Sequence, residues 1–77
     1  MKNQEFLEDM SAILEVEVDE LHDNFALDND NWNSLAIVSA IVLIDEQFGL
    51  AIPGEKLRSC KSLGNLWALI KEAQKII

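Results

Sequence analysis

Apolar residues recur at helical spacing at Phe6, Leu7, Met10, Ile13 and Leu14, which puts them on one stripe and predicts an amphipathic first helix. Asn3 suits the N-cap of that helix, and Glu5, Glu8 and Asp9 favour the positive end of its dipole. From Val16 to Asn33 the periodicity dissolves into Asp and Asn, with apolar anchors only at Val16, Val18, Leu21, Phe25 and Leu27. This predicts a long ordered loop, with a helical turn near Asp19 to His22, packed down by its own side chains.

A second helix is expected to start at Asn33 or Ser34, both good capping residues, and to run through Leu35 and Ile44 to Phe48, where Gly49 ends it. Its β-branched residues also suit a strand, but the length, the caps and the polar Asp45-Glu46-Gln47 end decide for a helix. An apolar belt nearly all round it implies burial on several sides or a surface meant for a partner. Pro53 and Gly54 open a short third element over residues 55–58. Ser62 then caps a last helix, with Leu63, Leu66, Trp67, Ile70 and Ala73 along one face. The pattern predicts an all-α protein, a small antiparallel four-helix bundle of three main helices and one short one, forming a single domain over residues 1–77.

Composition narrows the functional classes. A chain of 77 residues has room for one small core, which favours a module that binds or carries over one that catalyses. With 49% hydrophobic residues, three Gly and one Pro, it has the make-up of a folded domain. The N-terminal MKNQEFLEDM lacks the apolar core of a signal peptide, and the run Leu35 to Ile44 is too short to span a bilayer. A cytoplasmic, soluble protein is expected. Cys60 is the only cysteine, so it pairs with no other in the chain and is expected as a small buried apolar residue.

The net charge of −8 is unevenly spread: thirteen acidic residues and no Lys or Arg lie between Asn3 and Glu55. Such a field repels nucleic acid and anionic membranes and speeds encounter with basic protein surfaces. The segment Asp28-Asn29-Asp30-Asn31-Trp32-Asn33 superficially resembles a calcium loop. The sixth position is Asn33 instead of Gly and the twelfth is Ser39 instead of Glu, so no metal site is expected. His22 is the only histidine, and no nucleophile elbow surrounds Ser34, which argues against a hydrolytic triad.

Asn33-Ser34-Leu35 stands at a loop-to-helix junction, followed at fixed spacing by Phe48-Gly49, Ile52-Pro53 and Ser62. In this order the chain resembles the acyl carrier protein family, including peptidyl and polyketide carriers, from Phe6 to about Ala73. The resemblance implies a non-enzymatic carrier. Ser34 would receive 4′-phosphopantetheine from coenzyme A through a phosphodiester, and acyl or polyketide intermediates would ride on that arm as thioesters. It implies as partners a phosphopantetheinyl transferase, a ketosynthase and other chain-processing enzymes with basic or apolar docking surfaces, met by a carrier that is itself monomeric. The surface they would recognise is Trp32, Asn33, Leu35, Ala36, Val38, Ser39, Val42, Asp45 and Glu46.

Three departures from the family pattern sharpen the expectation. Asn33 replaces the usual Asp before the serine, which points to a dedicated or tolerant transferase. Ala36 and Ser39 stand where acids are common, so recognition would rest more on apolar contact, as suits a specialised type II polyketide or aryl-polyene pathway over bulk fatty acid synthesis. Asp30-Asn31 replace a Leu-Gly pair common shortly before the motif, and Trp32, directly before Asn33, would pack over the loop or against the arm. The alternative is a carrier-like bundle that is never modified and serves as a protein-interaction or regulatory subunit. An aminoacyl carrier would share the carrier's chemistry.

Overall fold

The computed structural model describes residues 4–76. Four α-helices follow one another: α1 (Gln4–Leu14), α2 (Ser34–Phe48), α3 (Gly54–Arg58) and α4 (Leu63–Ile76). A single 3-10 turn, Val18–Glu20, interrupts the long first connection. It starts one residue earlier than the pattern suggested, because Glu17 and Glu20 close a reciprocal capping box around it. The result is a small helical bundle with no strand among the described residues. The Asn3 cap falls outside the described residues.

Helices α1 and α2 run antiparallel. Phe6 at the start of α1 meets Phe48 at the end of α2, with ring centroids 5.7 Å apart. Gln47 hydrogen-bonds Asp9 one turn further along, and Ala12 and Ile13 face Asn33 and Ala36 at the opposite end. Trp67 of α4 completes an aromatic triangle, 5.6 Å from Phe6 and 5.9 Å from Phe48. Such tilted and edge-on pairs stabilise by about 0.5–1.5 kcal/mol each beyond the area they bury. Every helix sends residues into one core: Phe6 and Met10, Ile44, Leu57, and then Leu63, Leu66 and Ile70 are fully buried. None of the described polar or charged residues is buried with them.

Helix ends are closed in two chemically different ways. Gly49 adopts φ 66° after α2, and its N–H donates to the Asp45 carbonyl, as a left-handed C-cap requires. At the end of α1 the same left-handed position is taken by Glu15, φ 58°, while the Val16 N–H reaches back to the Ser11 carbonyl at 3.0 Å. A side chain with a Cβ is disfavoured there by about 1–2 kcal/mol, so α1 ends with stored strain. At α4, the Ser62 hydroxyl accepts the Asn65 N–H at 3.2 Å, and Asn65 in return accepts the Lys61 N–H at 3.1 Å.

The long loop is fastened at its far side. Leu27 N–H donates to Lys61, Leu63 N–H to Phe25, and Gly64 N–H to Asp23, so residues 23–27 lie along residues 61–64. Gly64 is obligatory for this approach: a Cβ on it would stand 2.9 Å from the Asp23 carbonyl oxygen.

Candidate functional site

The acidic segment ahead of α2 folds on itself. The Asp28 carboxylate accepts the N–H groups of Asp30 and Asn31 at 2.9 and 3.1 Å, and the Asn31 side chain closes the turn from the other side onto Asp28 N–H and the Ala26 carbonyl. Short polar side chains bonding to nearby backbone make this an Asx-type turn. The Trp32 N–H then donates to the Asp28 carbonyl at 2.7 Å, and its indole N–H reaches the Leu57 carbonyl of α3, also at 2.7 Å. The ring is only 6% exposed. Trp32 therefore bolts the loop to α3.

Asn33 caps α2: its side-chain oxygen accepts the Ala36 N–H at 2.9 Å, and its amide group contacts the Asp30 carbonyl. Ser34 is the first residue of α2 and is exposed. The Ser34 and Leu35 N–H groups make no hydrogen bond within the described residues, so two backbone donors stand unpaired at the positive end of the helix, beside a neutral cap at Asn33.

The apolar belt of α2 splits into two faces. Ala36, Ile37, Ala40, Leu43 and Ile44 are buried. Leu35, Val38 and Val42 are 76%, 57% and 51% exposed, and Asp45 and Glu46 continue their stripe to the far end of the helix. Three large apolar side chains at i, i+3 and i+7 form an unpartnered strip on a surface otherwise rich in acids. Of the nine positions expected to meet partners, Asn33, Leu35, Val38, Val42, Asp45 and Glu46 are exposed and Ser39 is half-buried. Two are not presented. Trp32 is turned inward by its bond to Leu57, and Ala36 faces the core, 6% exposed, because it lies a third of a turn from Leu35 toward α1.

A groove opens between the end of α1 and the first turns of α2, with a volume of roughly 490 Å³. Ile13 and Ala36 supply apolar surface, while Glu15, Asn33 and Ser39 supply polar groups. A second cleft, roughly 450 Å³, lies between the α2–α3 connection and α4, with Lys56 and Glu72 among its lining residues. The remaining expectations concern isolated residues. Cys60 is buried, with its thiol directed to the Lys56 carbonyl at 3.5 Å, and burial pushes the thiol pKa up, which leaves it an unreactive packing residue. His22 is exposed in the loop.

The contribution of α1 to this region, through Ile13 and Glu15, carries no local sequence signal, since both read as ordinary helix-end residues. No described helix is long and apolar enough to cross a membrane. No family model, curated protein or solved structure matches the chain.

Proposed function

We propose that this chain is a carrier protein, with Ser34 as the attachment point of a 4′-phosphopantetheine arm and with no catalytic activity of its own. One observation carries the reading. An exposed serine stands at the first residue of a capped helix, with free backbone donors beside it and an exposed apolar stripe running away from it. That juxtaposition puts a tethered group next to a surface on which another protein can rest.

On this reading the Ser34 hydroxyl attacks the β-phosphate of coenzyme A and displaces adenosine 3′,5′-bisphosphate. The hydroxyl proton passes to a base of the transferase, because no described carboxylate or imidazole hydrogen-bonds Ser34. The arm then supplies a terminal thiol, which this chain's one buried cysteine does not. Leu35, Val38 and Val42 offer apolar contact to a transferase, a ketosynthase or related enzymes, and Asp45 and Glu46 pair with basic groups at the rim of those partners. Acyl or polyketide intermediates of a specialised type II pathway are the proposed cargo. On this reading the protein works in the cytoplasm, where coenzyme A is at hand for loading, and is a monomer between encounters.

A second reading, an unmodified interaction or regulatory subunit, rests on the same exposed stripe, which would bind a partner with or without an arm. Intact mass of the protein from its native host, beside Ser34→Ala, separates the two. The carrier reading expects a phosphopantetheine increment in the wild type that the variant lacks. Unmodified wild type from cells in which the pathway is running would refute it in favour of the second reading.

A further inference from the structure

Residues 28–33, which lead into Ser34, are bonded almost entirely among themselves. Asp28, Asp30, Asn31 and Asn33 bond within the segment, back to Ala26 and forward to the first turn of α2. Among the described residues, one hydrogen bond ties this segment to another element of the fold: the Trp32 indole N–H donates to the Leu57 carbonyl of α3 at 2.7 Å. Burial singles out the same residue. Between Leu27 and Ala36 only Trp32 is buried, while Asp28 to Asp30 and Asn33 to Leu35 are exposed. The acceptor is firmly seated, since the Leu57 side chain is fully buried in the core. Helix α3 also lies close against α2, where a Cβ on Gly54 would stand 3.5 Å from Ile41. One short helix is therefore the common seat of α2 and of the turn that ends at Ser34.

We infer that Trp32 is a positioning residue for the loading of Ser34, an inference that rests on the carrier reading of that serine. Its indole is turned inward, so it acts through the Asn33 cap and not by contact with a partner. A transferase has to engage the exposed junction and the apolar stripe of α2 together. With the Trp32 bond made, α3 holds both in one arrangement. Without it, the turn swings on its own internal bonds, and the enzyme meets a usable junction only part of the time. Apparent affinity then falls by that fraction, whereas turnover of the complex, once formed, is unchanged. One buried hydrogen bond corresponds to roughly a two- to tenfold change in an equilibrium constant, which bounds the effect. A merely structural role predicts no such split. Well below the melting temperature a modest loss of stability leaves almost every molecule folded, and KM stays where it was.

The N–H can be removed without changing the shape of the ring. The chain of 77 residues is assembled by native chemical ligation at Cys60, with benzothienylalanine, whose sulfur replaces the indole N–H, in place of Trp32. Loading by the native host's phosphopantetheinyl transferase is followed by mass spectrometry well below the melting temperature, with the carrier varied at saturating coenzyme A. KM for the carrier should rise by about two- to tenfold with kcat unchanged. Trp32→Phe, made by expression, should show the same split. Ile70→Val is the control: it trims a fully buried side chain of α4, which makes none of the hydrogen bonds of residues 28–33. It loses a similar amount of stability and should load as the wild type does. Unchanged KM in both Trp32 variants, a fall in kcat alone, or an equal rise of KM in Ile70→Val would overturn the inference while the wild type still loads. A wild type that takes no arm from the transferase would overturn the carrier reading itself, and the inference with it.

Discussion

Substituting Trp32 separates what its ring does from what its N–H does. In Trp32→Phe the ring still fills most of the space between the loop and α3, but the 2.7 Å hydrogen bond to Leu57 is lost. The Leu57 carbonyl is not stranded, because it still accepts the Cys60 N–H at 3.1 Å. The loss is therefore that of one ordinary buried hydrogen bond, about 0.5–1.5 kcal/mol, with a small packing defect on top. A total of about 1–2 kcal/mol is expected, which lowers the Tm of a domain this small by roughly 5–15 °C. Trp32→Ala should cost about 3–5 kcal/mol. Against a total stability of about 4–12 kcal/mol for a chain of this length, that approaches unfolding. Urea denaturation followed by far-ultraviolet circular dichroism measures both differences without depending on the fluorescence of the remaining Trp67. Hydrogen exchange at Ala36 and Ile37, whose N–H groups donate to Asn33, should speed up in Trp32→Phe, since the cap at Asn33 then hangs on a loosened loop. A Phe variant within 0.5 kcal/mol of wild type, or one as unstable as the Ala variant, would refute the bolt as described.

The two left-handed caps make a matched pair of opposite sign. Gly49→Ala should lose about 1 kcal/mol, because its new Cβ meets nothing within 4 Å and only the backbone suffers, whereas Glu15→Gly should gain about 0.5–1 kcal/mol. Thermal melts of both variants check this, and matching signs would sink the account. Asn33→Ala should cost about 1 kcal/mol through the lost Ala36 cap, while Asn33→Asp should hold stability and, on the carrier reading, accelerate loading of Ser34 by a purified transferase. Unchanged or slower loading of the Asp variant, followed by mass spectrometry, would refute the idea that the neutral residue at position 33 limits the reaction. For Cys60, burial raises the thiol pKa in the fold, so its contribution to stability is intact below the ordinary thiol value of about 8.5 and declines as pH rises above it. Chemical denaturation across that range should show a steeper alkaline loss in wild type than in Cys60→Ala; parallel curves would contradict it.

The helices were legible because strong local signals agreed with the tertiary demand. Gly49 stops α2, Ser62 starts α4, and the apolar stripes of α1 and α4 match the faces that became buried. The even belt of α2 was ambiguous by nature, since periodicity cannot say which half of an all-apolar helix faces water. Only packing against α1 and α3 assigns Leu35, Val38 and Val42 to the outside. What escaped was long-range. The Trp32 bond to Leu57 spans twenty-five positions, and the approach of Gly64 to Asp23 joins two segments whose local chemistry says nothing of each other. The left-handed Glu15 was hidden for a different reason: Gly or Asn would have announced it, and a glutamate does not. The candidate serine could be placed at its helix end from spacing alone, whereas the groove beside it depends on how α1 comes to lie against α2.

The pinning of residues 23–27 onto residues 61–64 has a consequence for biosynthesis. A chain emerging from the ribosome presents Ser34 before the segment that holds its loop in place has been made. At about 5–20 residues per second, the thirty residues from Leu35 to Gly64 take roughly 1.5–6 seconds to add. Until then the loop has neither Lys61 nor Gly64 to bind, and Trp32 lacks its acceptor on Leu57. The nascent protein thus shows the serine without the surface around it. An enzyme that recognises the folded junction acts only once the chain through Gly64 has emerged, whereas one that reads the local tripeptide could act before that point.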